Sequence, residues 1–125
     1  MPESGPTGEE LVAISKSHRL LCQPMFVMTT IADAEAMGAV LANLAPHLEY
    51  WAQMERQHVL FAAGPQMPVN PSEPWSGNGM VIFRAPSLLA AQQIAAADPM
   101  HKAGARTYEI QPWLLNHLVT DGPHA

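Results

Sequence analysis

Cysteine is almost absent from this sequence of 125 residues, and so are long apolar runs and clusters of basic side chains. The single cysteine, Cys22, excludes an internal disulfide and any metal site built from several cysteines. Only six residues are Lys or Arg, against eleven Asp or Glu, so the formal net charge is −5. Because nucleic-acid phosphates and anionic lipids are bound by clustered cations, we expect no nucleic-acid partner and no membrane-binding patch.

The N-terminal sequence, MPESGPTGEE, has neither a basic start nor an apolar stretch, so it is not typical of a signal peptide. No apolar run approaches the roughly 20 residues of a membrane-spanning helix. We therefore expect a cytoplasmic protein. Nearly half of the residues, 48%, are apolar, which is enough for one hydrophobic core in a single domain.

Four short segments have the composition of β-strands. They are apolar, rich in β-branched or aromatic side chains and bounded by turn-forming residues, a pattern typical of strands. The predicted strands are MFVMTTIA (25–32), VLFAAGP (59–65), GMVIFRA (79–85) and ARTYEIQPW (105–113).

Two helical patterns lie between these strands. Asp33 is a candidate N-cap for a long first helix, which Pro46 should kink or break near residues 42–45. Ser87 is a candidate N-cap for a second helix, SLLAAQQIAAAD, which Pro99 should end. The apolar stripe of the first helix consists of Met37, Leu41, Leu44, Leu48 and Trp51.

Residues 25–118 are predicted to form the domain, with extensions at both ends. In the N-terminal extension, 1–24, the Pro/Gly/Ser-rich residues 1–8 should be disordered. The following segment, EELVAISKSHRLL (9–21), fits either a short helix or an extended arm. Residues 119–125 are expected to be a flexible tail.

The order strand, helix, strand, strand, helix, strand predicts an α+β fold of the ferredoxin-like βαββαβ type. In that fold two helices cover one face of a four-stranded antiparallel sheet. The other face also carries apolar side chains and has no element of this chain to cover it. We therefore expect a homodimer that pairs through the sheet and that could assemble further.

Three segments carry a family pattern. The first, PHLEYWAQMERQHVLFAAGP (46–65), has a histidine on the first helix and then a strand ending in Gly-Pro. The second, SGNGMVIFRAPSLLAAQQIAAADPM (76–100), has a small, Gly-containing start to the third strand and a helix ending in Asp-Pro. The third, HKAGARTYEIQPW (101–113), has a glycine after Asp-Pro and a last strand ending in Pro plus an aromatic residue. In this order they resemble the YciI-like (YCII-related) family.

The resemblance implies a dimeric α+β barrel with a His/Asp pair at a cleft, and that pair falls on His47 and Asp98. The small polar residues at the start of the third strand fall on Ser76, Gly77 and Asn78. Some family members resemble lyases or isomerases that act on small ring-derived molecules without a cofactor, using the pair to move protons. The short members lack a counterpart of the N-terminal extension.

The residues themselves permit this chemistry. An imidazole at position 47 can act as a general acid or base, and a carboxylate at position 98 can orient it. The alternative is purely structural: His47 would cap the broken helix or bond within the core, and Asp98 would only end its helix. Two functional hypotheses follow, a lyase or isomerase and a non-catalytic ligand-binding or accessory domain that uses the same cleft.

Four other residues are candidates for binding a substrate. His101 and Arg106 flank a turn at Gly104 and could bind an anionic group, or simply belong to a solvated turn. Trp51 is a core candidate that could also wall a pocket. Trp75 lies on the proline-rich loop QMPVNPSEPWSGN, where it would suit either a lid over an aromatic ligand or dimer packing.

We expect no metal and no cofactor. The histidines show no HxH or HExxH spacing, although His47, Asp98 and His101 could in principle converge as two histidines and one carboxylate. No GxSxG, P-loop or GxGxxG motif follows a strand, so serine hydrolases, NTPases and dinucleotide-binding enzymes have no support.

Overall fold

The computed structural model describes residues 4–119 of the chain. The chain divides into two compact units, Met25–Pro112 and the flanking segments before and after it. In chain order the elements are α1 (Gly8–Ser17), β1 (Gln23–Ile31), α2 (Met37–Ala42), α3 (Leu44–Arg56), β2 (Leu60–Pro65), β3 (Gly79–Phe83), α4 (Leu88–Ala96), α5 (Pro99–Lys102) and β4 (Thr107–Leu115).

The four strands form one antiparallel sheet in the spatial order β2-β3-β1-β4. With α2 and α3 after β1, and α4 and α5 after β3, the predicted βαββαβ order is confirmed, each helix being split in two. Strand β1 pairs with β3 so that Thr30 lies opposite Gly79. The pairing of β2 with β3 shifts register between Leu60 and Ala62. Gly79 of β3 therefore lies between Thr30 of β1 on one side and Pro65 of β2 on the other.

Helices α3 and α4 pack on one face of the sheet. Alternate strand residues meet helix α3 at Trp51 and helix α4 at Ala91 and Ala95, as the period-2 geometry of strands requires. The residues between them point to the opposite face, which no helix of residues 25–112 covers. The buried cluster on the helical face consists of Phe26, Met28, Trp51, Val81, Phe83, Ala91 and Ala95.

The first helix differs from its prediction. Asp33 does not cap it: helix α2 has Ala36 as its N-cap, and the Asp33 carbonyl accepts a turn hydrogen bond from the Ala36 amide. The predicted break is confirmed, because the chain leaves helical geometry at Asn43 and restarts as α3. Pro46 thus sits in the first turn of α3, where an amide would have no partner within the helix.

That break rotates the predicted apolar stripe. Leu41 and Leu48 are both 58% exposed instead of buried, while Val40 is fully buried. The stripe assumed one continuous helix with a constant angle per residue, and the irregular turn at Asn43 removes that constancy.

The second helix confirms its predicted cap and shows an unexpected continuation. The Ser87 hydroxyl accepts a hydrogen bond from the Ala90 amide at the start of α4. Helix α4 ends at Ala96, in agreement with the prediction that the helix stops before Pro99. Pro99 then begins α5, for which Asp98 is the N-cap. Asp98 is therefore held at a junction between two helices instead of within the last turn of one.

The flanking unit contains α1, so the segment after residue 8 forms the helix and not the extended arm. Thr7 and Glu10 form a capping box at its start. The Asn116 side chain donates to the Ser15 hydroxyl at 3.0 Å, and the Asn116 carbonyl accepts from the Leu21 amide. Residues 1–3 and 120–125, including nearly all of the predicted flexible tail, lie outside the described residues. Within residues 4–119 no helix is both long and apolar enough to cross a membrane.

Candidate active site

Asp98 is the centre of a buried hydrogen-bond network. Its side chain is fully buried and accepts three hydrogen bonds. The Nδ1 of His47 lies 2.8 Å from Oδ2, and the Nε1 of Trp51 donates to the same oxygen at 2.7 Å. The Met100 amide donates to Oδ1 at 2.9 Å. Both oxygens of this buried carboxylate therefore accept hydrogen bonds, as a buried charge requires.

The network fixes the charge of Asp98 and the tautomer of His47. Burial by itself would raise the pKa of Asp98, but the hydrogen bonds from His47, Trp51 and the Met100 amide outweigh it and lower that pKa below its ordinary value. An ionised carboxylate can only accept, so Nδ1 of His47 must carry the proton. In the neutral ring the other nitrogen, Nε2, is then the one that can accept a proton.

Helix α3, the second half of the broken first helix, carries two of the groups that bond to Asp98. His47 and Trp51 are four residues apart on α3, so their side chains lie one turn apart on the same helix face. The short helix α5 supplies the third element, since its N-cap geometry turns the Asp98 side chain back toward the Met100 amide. The sequence hypotheses treated ending the second helix and pairing with His47 as alternatives for Asp98. In the structure Asp98 follows α4, caps α5 and is also the partner of His47.

His47 lies on the wall of a cavity of about 460 Å³, a volume within the usual range for small-molecule sites. Its side chain is 13% exposed. The walls are mainly apolar. The lining residues are Thr30, Leu44, His47, Leu48, Trp51, Ala63, Gly64, Pro65, Met67, Trp75, Gly79, Met80, Val81 and Arg106.

Arg106 brings a buried cation to this cavity. Its Nε donates to the Gly77 carbonyl at 2.8 Å, and its guanidinium lies 5.5 Å from the centre of the Trp75 ring. Burial lowers the pKa of Arg106, although Asp98 acts in the opposite direction. No carboxylate among residues 4–119 forms an ion pair with it. A largely buried arginine without such a pair is a natural site for an anionic group of a ligand.

The loop before β3 holds Arg106 in place. Gly77 has φ of +92°, and a Cβ there would lie 2.8 Å from the Cβ of Ala32, so only glycine fits. Trp75 is half-buried and its Nε1 donates to the Asn78 carbonyl at 2.9 Å. Trp75 therefore lines the cavity as a fixed wall, with the polar edge of its ring already bonded.

Three of the predicted binding residues do not line the cavity. Ser76 is exposed on the loop, and the Asn78 side chain accepts from the Ala32 amide at 2.9 Å. His101 packs against Tyr108 and its Nδ1 bonds to the Ala95 carbonyl at 2.6 Å. Burial lowers the pKa of His101, although the Ala95 carbonyl and Asp98 act in the opposite direction. The side chains of Asn78 and His101 thus bond to the backbone near the site instead of facing the cavity.

The alternative of a metal site gains no support. Within residues 4–119 no group of three or more His, Cys, Asp or Glu side chains is arranged to hold a metal ion. His47, Asp98 and His101 do not form such a group: the Nδ1 of His101 bonds to the Ala95 carbonyl, and its buried Nε2 has no hydrogen-bond partner among residues 4–119. The Nδ1 of His47 is hydrogen-bonded to Asp98, and the Asp98 carboxylate accepts hydrogen bonds from three donors.

The sequence hypotheses missed Thr30 and several apolar residues of the cavity wall, including Leu44, Met67 and Val81. Thr30 could have been predicted from the sequence. It continues the alternation of Phe26 and Met28, which places its hydroxyl on the buried face of β1. The loop residue Met67 had none, since its position depends on the fold of the whole 66–78 segment.

Comparisons with known proteins agree with this fold. The sequence profile of the YCII-related domain matches residues 25–114. The chain belongs to the YCII-related family. No curated protein sequence matches it.

Among solved structures, the YCII-related chain is similar to a 5-chloro-2-hydroxyhydroquinone dehydrochlorinase from Burkholderia phenoliruptrix AC1100, in complex with 2,5-dihydroxybenzoquinone. The TM-score is 0.63 at 18% identity, covering 71% of this chain and 92% of that one. More distant is a dimeric ferredoxin-like protein from an uncultured marine organism, with a TM-score of 0.45 at 11% identity, covering 78% of this chain and all of the other. An antibiotic biosynthesis monooxygenase gives a TM-score of 0.43 at 12% identity over the same shares.

The lowered pKa of Asp98 predicts an acid-dependent stability of this YCII-related domain. In the unfolded chain an aspartate has a pKa of about 3.9. Because the folded-state pKa is lower, the unfolded state binds more protons than the folded state while the pH falls from above the unfolded pKa toward the folded one. The contribution of Asp98 is therefore complete above about pH 5 and is lost as the pH falls through the folded-state pKa. Urea unfolding of the wild type and of Asp98→Asn should show a stability difference that shrinks between these limits. A constant difference would contradict the assignment.

Proposed function

We propose that the YCII-related domain is a lyase or isomerase that moves a proton on a small, oxygen-bearing ring compound without a cofactor. The observation that carries the proposal is the hydrogen bond between His47 Nδ1 and Asp98 on the wall of an apolar cavity. A histidine oriented by a buried carboxylate is a common arrangement for general acid–base catalysis.

In the proposed step, Nε2 of His47 removes a proton from a C–H or O–H group of the substrate. The electron pair left behind moves into the ring and collects on an oxygen as an enolate. Asp98 then stabilises the imidazolium, because its carboxylate already accepts from Nδ1. Trp51 and the Met100 amide hold that carboxylate in place.

The enolate has two ways forward, which separate the two reaction classes. The electron pair can return and expel a leaving group as an anion, which is a lyase reaction. It can instead take the proton back from His47 at another carbon, which is an isomerase reaction. Both balance without an oxidant or reductant.

Arg106 is proposed to stabilise the charge that develops on the substrate oxygen. It is a buried cation on the cavity wall and forms no ion pair with residues 4–119. A fixed cation in an apolar site acts more strongly than one in water, because the low local dielectric screens it less. Trp51 and Trp75 would hold the ring by its faces.

The dehydrochlorinase from Burkholderia phenoliruptrix gives this proposal its first probes. It is named for a reaction on a chlorinated hydroxyhydroquinone and was solved with 2,5-dihydroxybenzoquinone. We propose that this chain accepts ring compounds of the same general kind. The test is turnover of 5-chloro-2-hydroxyhydroquinone and related halogenated or enolisable rings, followed by chloride release and absorbance.

A second candidate function is ligand binding without turnover, favoured by the largely apolar lining of the cavity. Binding of 2,5-dihydroxybenzoquinone with no turnover of any compound in the panel would select it. Turnover that depends on His47 would reject it.

We also propose a homodimer formed through the sheet face opposite α3 and α4. Val27 and Thr29 of β1 and Met80 and Ile82 of β3 lie on this face by strand alternation and register. No helix of residues 25–112 covers these side chains. A large exposed apolar face on a small domain usually marks an interface.

Light scattering should give twice the chain mass of 13.6 kDa at micromolar concentration. Ile82→Asp places a charge at the centre of the face and should yield the monomer mass. Leu89→Asp places the same charge on an exposed position of α4, on the helical side, and should leave the dimer intact. A wild-type protein of monomer mass would refute the dimer.

A further inference from the structure

We propose that the hydroxyl of Thr30 is a substrate-binding group that selects ligands with a hydroxyl or carbonyl oxygen on the ring. The inference deepens the proposed function and rests on the same cavity. Thr30 is 1% exposed and lines that cavity. Its Oγ1 is buried and forms no hydrogen bond with any residue in the 4–119 range.

An unpaired buried hydroxyl is unusual. Most buried side-chain polar atoms have a hydrogen-bond partner, because a polar group without one loses its hydration and gains nothing in return. The preceding residues on this face of β1, Phe26 and Met28, are both apolar and belong to the core. A valine would fill the same space as Thr30 without that loss. The hydroxyl is therefore unfavourable to the free protein unless a ligand pairs with it.

Gly79 leaves space next to the buried hydroxyl. It lies directly opposite Thr30 in the pairing of β1 with β3, and it also lines the cavity. A Cβ on Gly79 would lie 3.3 Å from Thr30 Oγ1 and 3.2 Å from the Gly64 carbonyl oxygen. A side chain at position 79 would therefore crowd the hydroxyl from this side. Glycine is needed here for space, and not for an unusual backbone conformation.

The chemistry of a hydroxyl narrows the ligand class. A threonine hydroxyl donates one hydrogen bond and accepts others, so it can pair with either a carbonyl or a hydroxyl oxygen. Arg106 is suited to the charged oxygen and His47 to the proton in transit. Thr30 would then bind a second oxygen on the ring and reject rings that lack one, since a site built around a hydrogen bond leaves its own group unpaired with the wrong ligand.

The first test needs no ligand. Thr30→Val keeps the shape of the side chain and removes the unpaired hydroxyl, so it should raise the melting temperature of the free protein by about 3–6 °C. Thr30→Ser keeps the hydroxyl and should not raise it. If Thr30→Val lowers the melting temperature instead, the hydroxyl is bonded within the protein, and the proposal falls.

The second test measures binding of 2,5-dihydroxybenzoquinone by calorimetry. Thr30→Val should weaken binding about five- to tenfold, the size expected for one lost hydrogen bond, while Thr30→Ser stays within about twofold of the wild type. Gly79→Ala should weaken binding to a similar degree with the hydroxyl still present. Equal affinity of Thr30→Val and the wild type, or no binding by the wild type, would overturn the proposal.

These outcomes are separable from the fate of the proposed function. Turnover that requires His47 but is indifferent to Thr30→Val would keep the reaction and reject the role of Thr30. Binding that depends on Thr30 in a protein that turns over none of the panel would keep the binding role and reject the reaction.

Discussion

Replacing His47 with glutamine is expected to lower kcat/KM for a processed ring substrate by about 10²–10⁴-fold, the usual contribution of a general acid–base group. Glutamine retains a polar side chain that can donate to Asp98, so the buried carboxylate keeps a partner. The variant removes the proton-accepting nitrogen and preserves most of the packing. The loss should therefore appear mainly in kcat, with a smaller change in KM.

The matched control is His18→Gln. His18 is exposed at the C-terminal cap of α1, in the other compact unit of the chain, and contributes nothing to the cavity lining. Its kcat and KM should equal those of the wild type. Steady-state kinetics on the best compound in the panel supply the measurement. Full activity of His47→Gln would show that His47 does not transfer the proton.

The general architecture could be predicted because it depends on short-range patterns. The strand at residues 25–32 and the helix capped by Ser87 are each specified by local periodicity and by a residue that ends or begins an element. The break before Pro46 follows from the chemistry of one residue. The family pattern adds the order of the segments, which local reasoning alone does not guarantee.

The details of the site could be predicted only in part, since they depend on pairs far apart in the chain. His47 and Asp98 lie 51 positions apart in the sequence, and the pair was predicted from the family resemblance and not from the spacing. Nothing in the sequence announced that Trp51 would donate to the same carboxylate. Its place on the apolar stripe predicted either a core position or a pocket wall, and the structure places it in the core and on the cavity wall at once.

Asp33 and Asp98 show why the residue type near a helix end does not by itself identify the helix cap. Both are aspartates near the start of a predicted or actual helix, and only Asp33 was predicted to be a cap. In the structure Asp33 caps nothing, because the helix begins three residues later than its position would require. Asp98 caps α5, a helix too short to leave any periodic signal in the sequence.

Asp98→Ala is expected to lower the free energy of unfolding by about 3–5 kcal/mol, which is large for a single substitution. The methyl group leaves Trp51 Nε1 and the Met100 amide without an acceptor in a buried region. Each buried donor left unpaired costs roughly 1–3 kcal/mol, and the lost N-cap of α5 adds to this. The side chain of His47 also loses its partner.

Asp33→Ala is the matched control, because Asp33 is exposed and its side chain caps no helix. Its effect on unfolding should stay within about 0.5 kcal/mol, as is usual for surface substitutions. Chemical denaturation at pH 7 compares the two variants with the wild type. A loss below about 1 kcal/mol in Asp98→Ala would mean that the released donors find water or other acceptors. The carboxylate would then matter for orienting His47 and little for the fold, so the same variant should retain stability while losing turnover.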